Sequence, residues 1–393
     1  MAQTAENQTS PSTSSPTADK PAVLIIGGLG YIGRFLALHI HRHSLASTVL
    51  LVDKVLPQLA WLAPEFTAAC SPSNFVQADA SREASLAKLF DRPAGQQWDY
   101  VFNCAGETRY SQDESVYKLR SLQLTQVLGR ECARRRVRAF VEFGTGMVYK
   151  PPGRGAGCAE EAPTKPWLKI AKYKLLAEEA LEALAREEGL RYVVLRLAHV
   201  YGEYDVGFLA RGLCLARVYE SQGREMKWLW GKELRVHTVH VEDVCRAAWR
   251  AAEWCAGGES GGKEAGGRVF NIVDRGNTTQ GTLARLFSAT FPSLTTGFQN
   301  SLISTFARFN LDSVVDDVNE EILQPWADLL AAKGIVRPGP ISPFMEKELL
   351  RDSDLALNGA RFERVCGFEY TRTLGEEECR QVVESYRRMG WWP

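Results

Sequence analysis

The chain carries no net charge: 47 Lys and Arg balance 47 Asp and Glu over 393 residues. A neutral balance gives no broad attraction for nucleic acid or an anionic membrane surface. Long apolar runs are also missing, since the longest is a handful of residues, whereas a spanning helix needs roughly 18 to 20. Residues 1–20 have no basic region leading into an apolar one, and they hold Glu6 and Asp19 but no Arg. They read as neither a secretory signal nor a mitochondrial presequence, but as a disordered Ser/Thr/Pro-rich tail. Cysteine pairing is absent too: the nine cysteines form no CxxC, which predicts reduced thiols and a soluble cytoplasmic protein. No internal repeat appears at a fixed period.

What is present is ordinary globular composition, 45% apolar and 24% charged, arranged as alternating strands and helices. Ala22–Ile26 is a short apolar run of the kind buried on both faces of a parallel sheet. Further strands are predicted at Thr48–Val52, Phe75–Gln77, Tyr100–Asn103, Phe140–Phe143, Arg191–Leu197 and Val269–Val273. Helices are predicted at Arg82–Phe90, Ser115–Arg135, Leu168–Glu188 and Glu242–Cys255. This predicts an α/β fold, a doubly wound parallel Rossmann sheet over residues 21–285. Residues 286–393, aided by 200–235, are expected to form a smaller, mainly helical C-terminal substrate or lid subdomain. Ala256–Gly267 reads as a flexible low-complexity loop.

The first strand runs into GGLGYIG, with Gly27, Gly30 and Gly33, and then into a helix. Glycines let backbone approach a pyrophosphate, whose charge sits on the helix N-terminus. Asp53 follows Gly33 by twenty residues at a strand end, where it can accept from ribose hydroxyls and repel a 2′-phosphate. The expected cofactor is therefore NAD rather than NADP, a preference softened by Lys54.

With these motifs in view, the sequence resembles the extended short-chain dehydrogenase/reductase family, the nucleotide-sugar epimerases and dehydratases, over about Val23 to Phe291. The resemblance rests also on Asp79 and Ala80 in VQADAS, on Asn103, Cys104, Ala105 and Gly106, and on FVEFGTGMVY, LRLAHVYGE, HTVHVEDV and VFNIVD. It implies cofactor contacts from Gly27, Gly30, Tyr31, Ile32, Gly33, Asp53, Lys54, Asp79, Ala80, the Asn103–Gly106 segment and Lys174. It also implies a small-molecule substrate, a nucleotide sugar among the candidates, and a homodimer through 115–135 and 168–188.

The family moves its proton with a Tyr four residues before a Lys, beside a substrate-positioning Ser or Thr. Matching KYKLLAEEAL to the family helix puts the Lys at Lys174 and the helix Glu at Glu178, so Ile170 stands at the Tyr position. Thr145 keeps the hydroxyl. Ser121, Gly144 and His199 depart from the family's Asn, Ser and Asn. Cofactor-side positions are thus kept while catalytic and substrate-side positions change. Thr145, Lys174 and Glu107 are the candidate catalytic residues, and Tyr149 and His199 the candidate substrate contacts. Glu107 with Arg109 reads equally as a repurposed acid/base or a solvated loop.

No metal site is expected: His39, His41 and His43 lack a carboxylate or Cys to complete one. Arg134–Arg136 read as a solvated helix end, and of His237 and His240 in HTVHVED one is expected to pack beneath the site. Three functions remain open: an NAD-dependent oxidoreductase or epimerase of altered mechanism, a cofactor-binding scaffold without turnover, or an RNA-associated protein, which the neutral charge disfavours.

Overall fold

The structure is a computed structural model that describes residues 20–153, 155–257 and 267–393. The expected tail and most of the 256–267 loop lie outside the described residues. The chain forms β1 (Ala22–Ile26), α1 (Tyr31–Arg42), β2 (Thr48–Asp53), β3 (Phe75–Gln77), α2 (Glu83–Phe90), β4 (Tyr100–Asn103), α3 (Glu114–Tyr117), α4 (Leu124–Arg134), β5 (Ala139–Thr145) and α5 (Lys169–Glu188). It continues through β6 (Tyr192–Leu197), β7 (His199–Tyr201), α6 (Phe208–Ser221), β8 (Met226–Trp228), β9 (Thr238–His240), α7 (Val241–Ala256) and β10 (Val269–Ile272). Then come α8 (Gln280–Thr290), β11 (Thr296–Phe298), α9 (Ser301–Phe309), α10 (Leu311–Ala332), α11 (Ala360–Cys366) and α12 (Glu376–Arg388).

Seven strands make one parallel sheet in the order β3-β2-β1-β4-β5-β6-β10. Side chains alternate across it with period two. Val23 and Ile25 of β1 enter one core, while Ala22, Leu24 and Ile26 enter the other. Two buried faces explain why β1 is apolar without a polar alternation. The winding reverses between β1 and β4, which opens a crevice at their carboxyl ends.

One expectation needs correction. Ser115–Arg135 is not one α-helix: Lys118–Gln123 is π-helical between α3 and α4, a local widening that often marks a functional site. The C-terminal region is mainly helical, as expected, with one short strand, β11, that pairs with β8. Beyond it the chain returns to the main sheet: Leu355 bridges Val236, Leu357 bridges Cys158, and Arg361 of α11 bonds the Val269 carbonyl of β10 at 2.6 Å. Among the described residues no helix is long and apolar enough to cross a membrane.

Candidate active site

β1 ends because Gly27 turns the chain at φ +72, a left-handed angle that costs glycine little. A Cβ on Gly27 would lie 2.7 Å from the Ala105 backbone nitrogen, and one on Gly33 would lie 2.2 Å from the Gly27 carbonyl oxygen. The loop, the β4 end and the first turn of α1 therefore pack backbone against backbone. α1 has no side-chain cap at Gly30, which leaves its first N–H groups for an anion. Asp53 joins β2 to this loop, accepting from Leu29 N–H at 3.1 Å and Val55 N–H at 3.0 Å. Asp79 takes Lys54 at 3.1 Å and the Ser81 hydroxyl at 2.6 Å. Burial alone would raise its carboxyl, but the Ser81 and Lys54 hydrogen bonds prevail and hold it below the usual range. A glycine floor, an uncapped helix start and a strand-end carboxylate fit a dinucleotide such as NAD.

Lys174 of α5 lies beside the same edge: a Cβ on Gly106 would be 3.3 Å from its Nζ. Its ammonium bonds Glu142 Oε1 at 3.1 Å and the Phe143 carbonyl at 2.7 Å. Glu142 also accepts from Asn103 Nδ2 at 2.6 Å and the Thr125 hydroxyl at 3.2 Å. Its burial raises the carboxyl, against the pull of Lys174, Asn103 and Thr125. This buried network ties β4, β5, α4 and α5 together under the site. Sequence reasoning missed Glu142, though an acidic residue inside the apolar FVEF strand was a visible signal.

One helical turn before Lys174, Ile170 is half-buried against the apolar core. Tyr173 is no substitute, because its hydroxyl pairs with Glu114 Oε2 at 3.1 Å. Thr145 ends β5 with its Oγ1 accepting from Met147 N–H at 3.2 Å, which leaves the hydroxyl proton free to donate.

Glu107 departs from the acid/base expected of it. It is buried, both oxygens meet Arg109 at 3.0 Å, and Arg120 adds a 2.6 Å bond. Burial would raise its carboxyl, yet the Arg109 and Arg120 bonds hold it at about 2. It is a clamped anion with no proton to give at neutral pH.

Tyr149 is likewise not exposed to a ligand. It is 2% exposed, donates to Asn271 Oδ1 at 2.8 Å and accepts from Arg196 at 2.7 Å. Arg196 in turn pairs with Glu178 at 2.6 Å. That pair explains Gly144, where a Cβ would meet Glu178 Oε1 at 2.7 Å. His199 does face a cavity of about 520 Å³. Its ring stacks on Phe208 at 4.0 Å, and burial, with His237 adding to it, lowers its pKa to about 3. Met147 and Trp167 share that cavity with residues from α6, β8, α8 and α10. These walls were not legible from residue order, because they converge from segments far apart in the chain.

Residues 23–272 match the sequence model of the NAD dependent epimerase/dehydratase family. The chain is 28% identical over 206 residues to a dTDP-6-deoxy-L-talose 4-dehydrogenase (NAD(P)(+)) of Kitasatospora kifunensis, covering 52% of this chain and 60% of that protein. It is 27% identical over 236 residues to a dTDP-glucose 4,6-dehydratase of Streptomyces niveus, covering 57% and 67%. Among solved structures, Pal from Bacillus thuringiensis superposes with a TM-score of 0.67 at 17% identity over 93% of this chain and 99% of that one. The UDP-glucose 4-epimerase of Thermotoga maritima gives 0.64 at 20% identity, over 93% and 99%. These two likenesses concern the fold.

Proposed function

Since the chain belongs to the NAD-dependent epimerase/dehydratase family, we propose that it binds NAD and a second small molecule side by side without the family's phenol-based proton transfer. The observation that carries this reading is Ile170, an apolar side chain one turn before a retained Lys174. NAD, when bound, supplies a hydride acceptor or donor. Around it the Gly27–Gly33 loop offers backbone N–H groups, Asp53 a ribose acceptor, and Lys174 a fixed cation at Gly106. Thr145 can donate to a substrate oxygen. None of the three candidate partners is ready to give it a proton: Glu107 is ionised and clamped, Tyr149 is enclosed, and His199 is neutral.

A second reading, an oxidoreductase or epimerase of altered mechanism, is favoured by Lys174 itself. The ammonium has three donors, and Glu142 and Phe143 occupy two. The third can serve a ligand oxygen, with Thr145 positioning the reacting group. A nucleotide sugar is the substrate class that the relatives' names bring to this reading.

Calorimetric titration with NAD and NADP tests the cofactor, and NADH absorbance with UDP-glucose or UDP-galactose tests the chemistry. NAD should bind more tightly than NADP. The parent protein and Ile170→Tyr should both fail to turn over either sugar, because Gly144, Ser121 and His199 have changed the substrate side as well. Efficient epimerisation by Ile170→Tyr would show an intact sugar pocket. Turnover by the parent protein would establish the altered mechanism, and failure of both dinucleotides to bind would sink both readings.

A further inference from the structure

The cavity beside His199 is walled by Trp167, Phe208, Trp228, Leu283, Phe287 and Met345 among its apolar side chains. Its volume of about 520 Å³ lies within the ~300–1,000 Å³ of typical small-molecule sites. Its ionic groups are Arg224, Lys227 and Arg351 against Glu225, Glu321 and Glu348, which cancel. They are also engaged: Arg224 pairs with Glu321 at 2.5 Å, Lys227 with Glu225 at 3.3 Å, and Arg351 donates to the Trp167 carbonyl at 3.4 Å. Arg224, Lys227 and Arg351 are all exposed, so the cations sit at the rim and not in the depth. A diphosphate carries two or more negative charges and is held by convergent cations or backbone N–H groups. The walls of this cavity supply no such convergence.

Three buried polar atoms belong to these walls and have no partner: Gln280 Oε1, Trp228 Nε1 and Glu348 Oε2, the last a carboxylate oxygen whose negative charge further disfavours a diphosphate. Gln280 is 6% exposed. A buried acceptor and a buried donor left unpaired each carry a free-energy penalty that a ligand can relieve. The stacked His199–Phe208 pair and the tilted Trp228–Phe287 pair, 5.6 Å between centroids, add aromatic surfaces.

We propose that this cavity takes an uncharged, largely apolar molecule bearing one hydrogen-bond donor and one acceptor, and does not take a nucleoside diphosphate. The apolar body lies among Trp167, Phe208 and Phe287, with its donor serving Gln280 and its acceptor serving Trp228. This rests on the reading that the protein binds a second small molecule next to NAD, and it names that molecule's class.

The test uses the full chain and 7-amino-4-methylcoumarin, an uncharged fluorescent molecule with an amine donor and a carbonyl acceptor, titrated with and without NAD. Binding should be saturable and one-to-one, and millimolar UDP-glucose should not displace the probe. Ile303 lines the cavity and is 41% exposed, so Ile303→Arg puts a cation at the mouth with little demand on folding. Leu349→Arg does the same from a half-buried lining position. Each variant, checked for folding by circular dichroism, should weaken the probe about tenfold or more. Absence of saturable binding, displacement by UDP-glucose, or indifference to both arginines would overturn the proposal. NAD affinity is read by calorimetry on the same samples, so loss of the cofactor reading is seen separately from loss of the apolar-ligand reading.

Discussion

Lys174 has two neighbours that matter: its ammonium lies at Gly106 on the carboxyl edge of the sheet, where the proposed function puts NAD, and it is the counter-ion of buried Glu142. Lys174→Met should therefore do two measurable things. NAD affinity should fall by about 1.5–3 kcal/mol, the scale of a hydrogen bond to a charged group. Stability to urea should fall by about 3 kcal/mol, because a buried carboxylate loses its partner. Adding Glu142→Gln removes that orphaned charge, so the double variant should regain part of the stability and none of the NAD affinity. If stability fails to recover, the Lys174–Glu142 pair is not what the single variant breaks. Lys174 was legible from motif order and helix spacing. Glu142, Asn103 and Thr125 as its partners were not, because their meeting depends on the register of β4 against β5 and on where α4 lies. Glu107 shows the reverse: its place beside the cofactor segment was readable, but its two arginine partners, one from the π-helical segment, decide its protonation.

At the scale of elements, the β1–loop–α1 unit is the part with least tolerance. A Cβ at Gly33 would meet the Gly27 carbonyl oxygen at 2.2 Å, a distance that no rotamer relieves, since the backbone fixes where a Cβ sits and the oxygen belongs to the main chain. Gly33→Ala should push α1 off the loop, lower the melting temperature by several degrees, corresponding to about 1–3 kcal/mol, and weaken NAD binding by at least tenfold. An unchanged affinity in calorimetry would mean that the first turn of α1 does not hold the pyrophosphate. This unit was readable because its information is local: an apolar strand, glycines at fixed offsets and an amphipathic helix. The π-helical Lys118–Gln123 was not readable. Its sequence has ordinary helical periodicity, and a widened turn is selected by what α4 and α5 must pack against. The strand pair β8–β11 was missed for a related reason. Each strand has three residues, too few to show a period.

Across the whole molecule, histidine burial sets an acid limit. Burial, reinforced by nearby positive charge, lowers buried His237 to about 4, and burial lowers His199 to about 3. Between those values and the ordinary 6.5, the unfolded chain takes up protons that the folded chain refuses, so acid favours unfolding. The histidines leave stability level above about pH 7 and lower it as pH drops from about 6.5 towards 4, by up to about 1.4 kcal/mol per pH unit each. Below about pH 6, Asp205 and Asp274, raised by burial to about 6, take up protons first in the folded chain and offset part of that fall. Urea midpoints across that range give the slope. His237→Asn keeps an acceptor for the Leu357 N–H, which His237 Nδ1 now receives at 3.1 Å, and should flatten it; an identical slope would assign the acid sensitivity elsewhere.

The sequence by itself determined the parallel sheet, its crevice, the glycine loop with Asp53, and an apolar Ile170 one helical turn before Lys174. Each of these is written in residues a few positions apart, where strand and helix geometry convert spacing directly into direction. Only the tertiary structure decided that Tyr149 is enclosed by Arg196 and Asn271, that Glu107 is clamped, and that an apolar cavity with neutral walls stands beside His199. Those outcomes depend on which side chains meet across long stretches of chain. In a close-packed interior, protonation and access follow from such neighbours, and residue order alone does not list them.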